Sequence, residues 1–372
     1  MPDFTSALYL GLRHGHATLM PWQQITTGRP AALGEPREAD SLELGLARLV
    51  GCDAAALGTS TLHLFLDLFD MLASDDISFY IDAATYPIAR WGIQCVAPRG
   101  AAAETFRTHD PAALGAALSR RDMCGQRPVV LTDGLNPLTG RLAPLRDYLR
   151  LVRPFKGLVV VDDTQALGIL GRAPVPANPY GYGGGGTPSW FGLHDTGLVL
   201  VSLLAKGFGA PLALIAGAKV TIAWFKEKSQ TRIHCSPPSI AALAAARHAL
   251  MLNASHGDAL RSRLHRLVLR FRTGLASIGL SASGGSFPIQ TLKTNATMPA
   301  PELHAGLERL GVSTVLHRSG HADTALLSFL ISARHTDADI AASLDALRRL
   351  CKGSSAGKSR RSALSIQERS HG

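Results

Sequence analysis

The sequence predicts an α/β fold, with a mostly parallel and buried sheet in a large domain and a small α+β domain after it. The first observation is a set of short apolar runs with little alternation, as in strands covered on both faces: residues 129–132, 158–161, 198–203 and 212–216. The second is helical periodicity between and around these runs: residues 42–50, 62–69, 111–118 and 142–152. With 372 residues, 46% of them hydrophobic, the chain is long enough to bury such a core.

A different order of elements begins near residue 255. It runs as helix 257–278, strand 287–292, helix 301–310, strands 312–316 and 325–331, and helix 336–350. Within the large domain, the glycine-rich segment 180–188 is predicted to be a flexible loop. We therefore expect four regions: an N-terminal arm and entry segment at 1–40, the large domain at 41–254, the small domain at 255–351, and a disordered basic tail at 352–372.

Composition argues against several classes of protein. No apolar run is long enough to span a membrane, and the N-terminus lacks the pattern of a signal peptide, so we expect a cytoplasmic protein that does not bind membranes. The five cysteines are scattered, which predicts reduced thiols and no metal site. The net charge of +10 comes without the aromatic and basic pattern of a nucleic-acid site. It indicates either a solvated basic face or a site for a phosphate-bearing cosubstrate.

Two segments together indicate pyridoxal phosphate chemistry. Lys206 lies among small residues in Ala-Lys-Gly-Phe-Gly, downstream of the strand that ends at Asp162. This chemistry needs an amine that forms an imine with the cofactor aldehyde, and a carboxylate that keeps the ring nitrogen protonated. Either segment alone is also typical of a surface turn or a polar loop.

Further motifs follow in the same order as in a known family. They are Tyr9-Leu-Gly-Leu12, Phe106-Arg-Thr-His-Asp110, the stretch 132–145, and a basic segment that leads into Pro237-Pro238 and an alanine-rich run. In these motifs, over roughly residues 9–350, the chain resembles the α-oxoamine synthases. These are pyridoxal-phosphate enzymes of the aspartate-aminotransferase fold, or fold type I, and the resemblance implies that fold here.

The resemblance implies roles for residues around the cofactor ring. Lys206 would form the imine and act as a general base, and Asp162, rather than Asp163, would contact the ring nitrogen. Tyr86 replaces the histidine that the family stacks on the ring, and an aromatic side chain can also stack. Gln165 replaces a second family histidine, and its amide can donate to the ring oxygen but does not titrate near neutral pH.

Other residues are candidates for the phosphate and the substrate. Hydroxyls directly before the helix near residue 62 would cradle the phosphate at a positive helix terminus, although they would serve equally as an ordinary N-cap. The resemblance adds Ser202, Cys235 and Ser236, which stand in or beside the family's phosphate-binding positions. It also adds Asp133, which stands at an acidic position of the family. Arg318 is the candidate anchor for a substrate carboxylate, and a solvated loop arginine is the alternative. The complete set of additional cofactor candidates is Thr59, Ser60, Thr61, Asp133, Ser202, Cys235 and Ser236.

The resemblance implies an acyltransferase that condenses an amino acid with an acyl thioester, with loss of carboxylate. The acyl donor would be a thioester of coenzyme A or of an acyl carrier protein. The enzyme would be a homodimer with shared active sites. An aminotransferase or a lyase on the same fold is the alternative. A second alternative is a catalytically inactive partner subunit. The retention of Lys206 and Asp162 argues against it.

Overall fold

A computed structural model describes residues 1–74, 76–99, 102–121, 125–294, 299–318 and 325–352. The chain forms two compact units. The large unit comprises Leu10–Asn136 and Arg141–Arg261, and the small unit comprises Met1–Tyr9, Pro137–Gly140 and the chain from Ser262 onward. Beyond residue 352, the predicted basic tail lies outside the described residues.

A seven-stranded sheet forms the centre of the large unit, in the order β1-β9-β8-β7-β4-β2-β3. All neighbours are parallel except that β9 runs antiparallel to both β1 and β8. This confirms the predicted mostly parallel sheet. A short antiparallel pair, β5 and β6, lies beside it. The strands are β1 Ala54–Gly58, β2 Ile77–Asp82, β3 Ala102–Phe106, β4 Arg127–Asp133, β5 Leu135–Asn136, β6 Arg141–Leu142, β7 Leu158–Asp162, β8 Leu198–Leu203 and β9 Ala213–Gly217.

Helices cover both faces of this sheet, which explains why its strands are apolar along their whole length. One face carries Val160 and Val201 and packs against α2, α3 and α7, and the other carries Val159 and Val161 and packs against α4 and α5. The helices are α1 Arg37–Val50, α2 Thr61–Leu72, α3 Pro87–Val96, α4 Pro111–Arg121, α5 Leu145–Val152, α6 Gly186–Phe191, α7 Lys219–Lys228, α8 Gln230–His234 and α9 Ile240–Ser277.

No strands were predicted from the sequence at β1, β2 or β3, and several of the predicted bounds were wrong. The helix expected at 257–278 begins at Ile240, since α9 continues through Gly257, and a single glycine costs a helix only about 1 kcal/mol. The helix expected from residue 142 begins at Leu145, because Leu142 pairs with Leu135 in β6. The predicted strand 312–316 begins at Val315.

The glycine-rich segment 180–188 is more ordered than a flexible loop. Its last residues start α6 at Gly186. Gly183 is held on both sides: its N–H donates to Asp258 at 2.9 Å, and its carbonyl oxygen accepts from Asn253 at 2.9 Å. The prediction of a flexible loop used composition alone, whereas the residues that bond to Gly183 lie in α9, about 70 residues further along the chain.

The small unit is α+β, as predicted. Its four strands are antiparallel in the order β10-β11-β13-β12. Phe4 is fully buried in this unit and stacks on His335 at 4.3 Å between ring centroids, so the first residues of the chain belong to its core. The elements are β10 Ala282–Ser283, β11 Ile289–Leu292, α10 Ala300–Arg309, β12 Val315–Arg318, β13 Ala325–Leu330 and a helix α11 over residues 337–352.

Among the described residues, no helix combines the length and apolar character needed to cross a membrane. Cys52, Cys95, Cys235 and Cys351 are free thiols.

Candidate active site

The carboxyl ends of six strands lie at one edge of the large sheet. The strands β1, β2, β3, β4, β7 and β8 run in the same direction, because β9 is antiparallel to the two strands beside it. At this edge Asp133 of β4 lies opposite Asp162 of β7, and Asp162 lies opposite Val201 of β8. Ligands of open α/β sheets bind at such an edge. Most of the predicted site residues therefore end these strands or follow them directly.

Lys206 and two aspartates form one electrostatic group at this edge. Lys206 is half-buried in the turn after β8; burial lowers the pKa of its amine, while Asp162 and then Asp133 act in the opposite direction. Asp162 is 9% exposed, and burial raises the pKa of its carboxyl despite a hydrogen bond from Thr164 and the charge of Lys206. Burial, followed by the charge of Asp162, raises the pKa of Asp133 well above its ordinary value.

The glycines around Lys206 are required by close packing of the turn. A Cβ atom at Gly207 would collide with the carbonyl oxygen of Leu167. Gly209 has a φ of +66° and a Cβ there would lie 2.6 Å from the carbonyl oxygen of Leu12. The Lys-Gly-Phe-Gly pattern is thus explained by the fold of the turn, which holds the lysine at the sheet edge.

Tyr86 lies next to Asp133. It is the N-cap residue of α3, and its backbone N–H donates to Oδ1 of Asp133 at 3.1 Å. Its side chain is 57% exposed, so the ring is available to pack against a ligand. Stacking on a cofactor stays a prediction.

The predicted phosphate cradle lies at the start of α2. Ser60 is the N-cap residue, and its hydroxyl accepts from the N–H of His63 at 3.3 Å. The Oγ1 of Thr59 and the Oγ of Ser60 lie 3.0 and 3.1 Å from Nδ1 of His63. Thr61 is buried as the first residue of the helix. Capping by Ser60 is therefore present, and it is compatible with anion binding at the same terminus.

Cys235 and Ser236 face the same place. A small cavity is lined by Thr59 and His63 on one side and by Arg232, Cys235 and Ser236 on the other. Within one chain, the segment before Pro237-Pro238 thus meets the start of α2.

The remaining predicted residues are Ser202, Gln165 and Arg318. Ser202 is fully buried, and its hydroxyl has no hydrogen-bond partner among the described residues. It alternates with Val201 and Leu203, which pack on the face that carries α2, so it points to the opposite face. Gln165 is half-buried in the turn after β7. Arg318 ends β12 in the small unit, where it pairs with Ala325.

The sequence interpretation missed Thr164 and Asp163 as structural supports. Thr164 joins two strand ends: its N–H donates to Asp162 at 3.0 Å, and its hydroxyl accepts from the N–H of Leu203 at 3.1 Å. Asp163 is fully buried, and burial raises its pKa to about 7, with the charge of Asp162 adding to the effect. Its Oδ2 accepts from the N–H of Thr187 at 2.9 Å. The period of two in a strand is the signal that the adjacent aspartates diverge.

His63 was also missed. It stands three residues after the N-cap serine, and helical spacing places such a residue over the first turn. Its position beside two hydroxyls makes it part of the terminus at which an anion would bind.

These residues fit pyridoxal phosphate. An amine with a lowered pKa stands beside a buried carboxylate. The exposed Tyr86 is held at the same sheet edge by its backbone bond to Asp133, and a capped helix terminus lies there as well. An imine former, a ring-nitrogen partner, a stacking surface and a phosphate site are what the cofactor requires.

Comparisons with known proteins agree with this chemistry. The family model described as aminotransferase class I and II matches residues 24–300. An 8-amino-7-oxononanoate synthase from Alkalilimnicola ehrlichii is 30% identical over 338 residues, which cover 88% of this chain and 82% of that protein.

Solved structures share the fold. The serine palmitoyltransferase of Sphingomonas wittichii superimposes with a TM-score of 0.82 at 17% identity, over 95% of this chain and 88% of that chain. The 8-amino-7-oxononanoate synthase of Francisella tularensis superimposes with a TM-score of 0.69 at 18% identity, over 94% of this chain and 97% of that chain. The expected fold type is thereby confirmed. The chain belongs to the aminotransferase class I and II family and, within it, to the α-oxoamine synthases.

Proposed function

We propose that this chain uses pyridoxal phosphate to condense an amino acid with an acyl thioester, with loss of the amino acid carboxylate. The observation that carries the proposal is the group of Lys206, Asp162 and Asp133 at the carboxyl edge of the sheet. The extended similarity to an 8-amino-7-oxononanoate synthase supports the reaction type.

The chain's residues divide the work as follows. Lys206 holds the cofactor through Nζ and moves the proton at the amino acid Cα, since burial lowers its pKa toward the range of a useful base. Asp162 holds a proton at the ring nitrogen. When bound, pyridoxal phosphate supplies an electron sink for the bonds at Cα. Tyr86 packs against the ring, Gln165 donates to the ring oxygen, and the start of α2 binds the phosphate through Thr59, Ser60 and Thr61.

Asp133 has a supporting role in this proposal. Burial and the charge of Asp162 favour its protonated form. Of the two carboxyls, Asp162 is then the ionised one, and it interacts with the positive charge of Lys206. Asp133 accepts the hydrogen bond from the N–H of Tyr86 and holds that residue in place.

A second candidate is an aminotransferase or lyase reaction in the same site. Tyr86 and Gln165 occupy the positions of two family histidines, so a phenol and an amide stand where the family has imidazoles. A condensation that needs an acid at these positions would be slowed, whereas amino-group transfer uses Lys206 as its base.

The partners are part of the proposal. The acyl donor is a thioester of coenzyme A or of an acyl carrier protein, and both are to be offered as substrates. We propose a homodimer in which Cys235 and Ser236 contribute to the partner's phosphate site; the mass in solution, measured by light scattering, tests it. A monomer with full activity would contradict it.

Arg318 is proposed to bind the substrate carboxylate, so Arg318→Ala should raise the KM for the amino acid. The cytoplasmic location stays a prediction.

The test is the visible absorption spectrum of the purified chain with pyridoxal phosphate. Lys206→Ala should lose the visible band, whereas Lys219→Ala, an exposed lysine at the start of α7, should keep it. Single amino acids are then added with and without thioester. A spectral change that requires both, with release of carbon dioxide, supports condensation. Amino-group transfer without any thioester response supports the second candidate, and the absence of a Lys206-dependent band contradicts both.

A further inference from the structure

A pair of histidines joins the N-terminal segment of the large unit to the turn that carries Lys206. Nε2 of His14 lies 2.7 Å from the carbonyl oxygen of Phe208, and Nδ1 of His14 lies 3.1 Å from Nδ1 of His248 in α9. The two rings are 5.2 Å apart at their centroids, with 76° between their planes. Three segments distant in sequence therefore meet through two hydrogen bonds.

The direction of these bonds follows from the chemistry of the groups. A carbonyl oxygen only accepts, so Nε2 of His14 carries the proton that it donates to Phe208. In neutral His14, Nδ1 is then an acceptor, and Nδ1 of His248 carries the proton of the second bond. Burial, followed by the neighbouring His14, lowers the pKa of His248 and favours its neutral form. The bonds run from His248 to His14 to the carbonyl of Phe208.

The Phe208 carbonyl belongs to the turn that positions the lysine. Phe208 is fully buried, two residues beyond Lys206, and its N–H closes the turn by donating to the carbonyl oxygen of Leu204 at 3.0 Å. The next residue, Gly209, packs directly on the Leu12 backbone. His14 thus binds the turn at the point where the chain leaves it.

We propose that His14 is a positioning residue for Lys206: its hydrogen bond to the Phe208 carbonyl, oriented by His248, holds the turn from which the lysine amine reaches the cofactor. The inference rests on the proposed function of Lys206. Leu10 and Leu12 of the same segment are also buried, so His14 is not its only attachment to the large unit.

Two substitutions of His14 separate positioning from anchoring. His14→Gln keeps both bonds within reach, since an amide can donate to the carbonyl and accept from His248. His14→Phe keeps a ring and loses both bonds. His248→Phe leaves the bond to Phe208 and removes only the residue that orients His14. The measurements are the pH midpoint of the Lys206-dependent visible band with pyridoxal phosphate, the dissociation constant of the cofactor, and the thermal midpoint without it.

In His14→Phe the pH midpoint should rise by about one pH unit, and cofactor affinity at neutral pH should fall about tenfold. The reason is that a looser turn admits water to the lysine nitrogen. Burial lowers the pKa of the free amine, and by the same principle it opposes a positive charge on the imine nitrogen that the band reports, so both effects should weaken. His248→Phe should shift the midpoint in the same direction by a smaller amount, and His14→Gln should restore wild-type values.

The proposal is overturned if His14→Phe changes only the thermal midpoint, or if His14→Gln and His14→Phe shift the pH midpoint equally. A wild-type chain without a Lys206-dependent band overturns the proposed function as well. A wild-type band that is unchanged in His14→Phe overturns the role of His14 alone.

Discussion

Asp133 and Asp162 lie directly opposite each other at the ends of the neighbouring parallel strands β4 and β7. Asp162 is buried and Asp133 is half-buried, and two carboxyl groups so placed cannot both ionise without strong mutual repulsion. Burial raises the pKa of each, and the charge of Asp162 further raises that of Asp133. Lys206 acts on both carboxyls in the opposite sense, which makes the three groups a single titrating unit.

The two aspartates should respond differently to the loss of their charge. Asp162→Asn should retain bound cofactor and lower kcat by about 10²–10³-fold, because the ring nitrogen loses its charged partner. Asp133→Asn should lower kcat less than about tenfold, because the amide resembles the protonated acid and still accepts from Tyr86. Steady-state kinetics of both variants checks this. Equal losses would contradict the assignment of the charge to Asp162.

Asp163 should make the stability of the protein fall with rising pH. Its folded-state pKa is about 7 against an ordinary value of 3.8, so the folded state binds the proton more tightly than the unfolded state. Stability is then lost as the pH rises from about 4 to about 7, by a contribution on the order of 2–4 kcal/mol. Asp163→Asn cannot ionise. Urea unfolding at pH 5 and pH 8 should show that the variant gains stability relative to wild type at the higher pH. The same difference at both values would rule out this ionisation.

Substitutions of Ser60 separate helix capping from phosphate binding. Ser60→Asp keeps an N-cap acceptor and an acidic group at the positive terminus of α2, so the thermal midpoint should stay the same or rise. Its charge repels phosphate, and cofactor affinity should fall at least about tenfold. Ser60→Gly adds no charge and leaves the backbone N–H groups of the helix terminus in place, so it should lose only a few tenths of a kcal/mol in stability and keep most of the cofactor affinity. Unchanged cofactor affinity in Ser60→Asp would place the phosphate away from α2.

Two helical glycines form a matched pair for a test of packing. A Cβ at Gly92 in α3 would lie 2.8 Å from the ring of Phe69 and 3.1 Å from the carbonyl oxygen of Phe65, both in α2. Gly92→Ala should destabilise the protein by about 1–3 kcal/mol. A Cβ at Gly115 in α4 would lie 3.6 Å from Leu151, an ordinary contact, so Gly115→Ala should stabilise it by up to about 1 kcal/mol. Chemical denaturation of the two variants should give shifts of opposite sign.

The sequence alone determined the elements whose signals are local. Apolar runs predicted four of the seven strands of the large sheet, β4, β7, β8 and β9. Periodicity predicted most helices, and the spacing of Lys206 and Asp162 indicated the cofactor. These signals suffice because a strand or a helix is recognised by which faces its own residues bury. Predicted bounds were wrong where pairing with another segment determines the structure. Leu142, for example, was predicted to be helical, but it lies in β6 and pairs with Leu135 of β5.

Only the tertiary structure decided which side chains meet. Asp162, the last residue of β7, interacts with Lys206, whereas Asp163, the next residue, is buried elsewhere and accepts a hydrogen bond from Thr187. The two side chains diverge because successive residues of an extended chain point to opposite sides of the sheet. The tertiary structure also brought His14 to the turn after Lys206. Contacts between residues so far apart along the chain depend on how strands and helices pack, and no local pattern of residues records that packing.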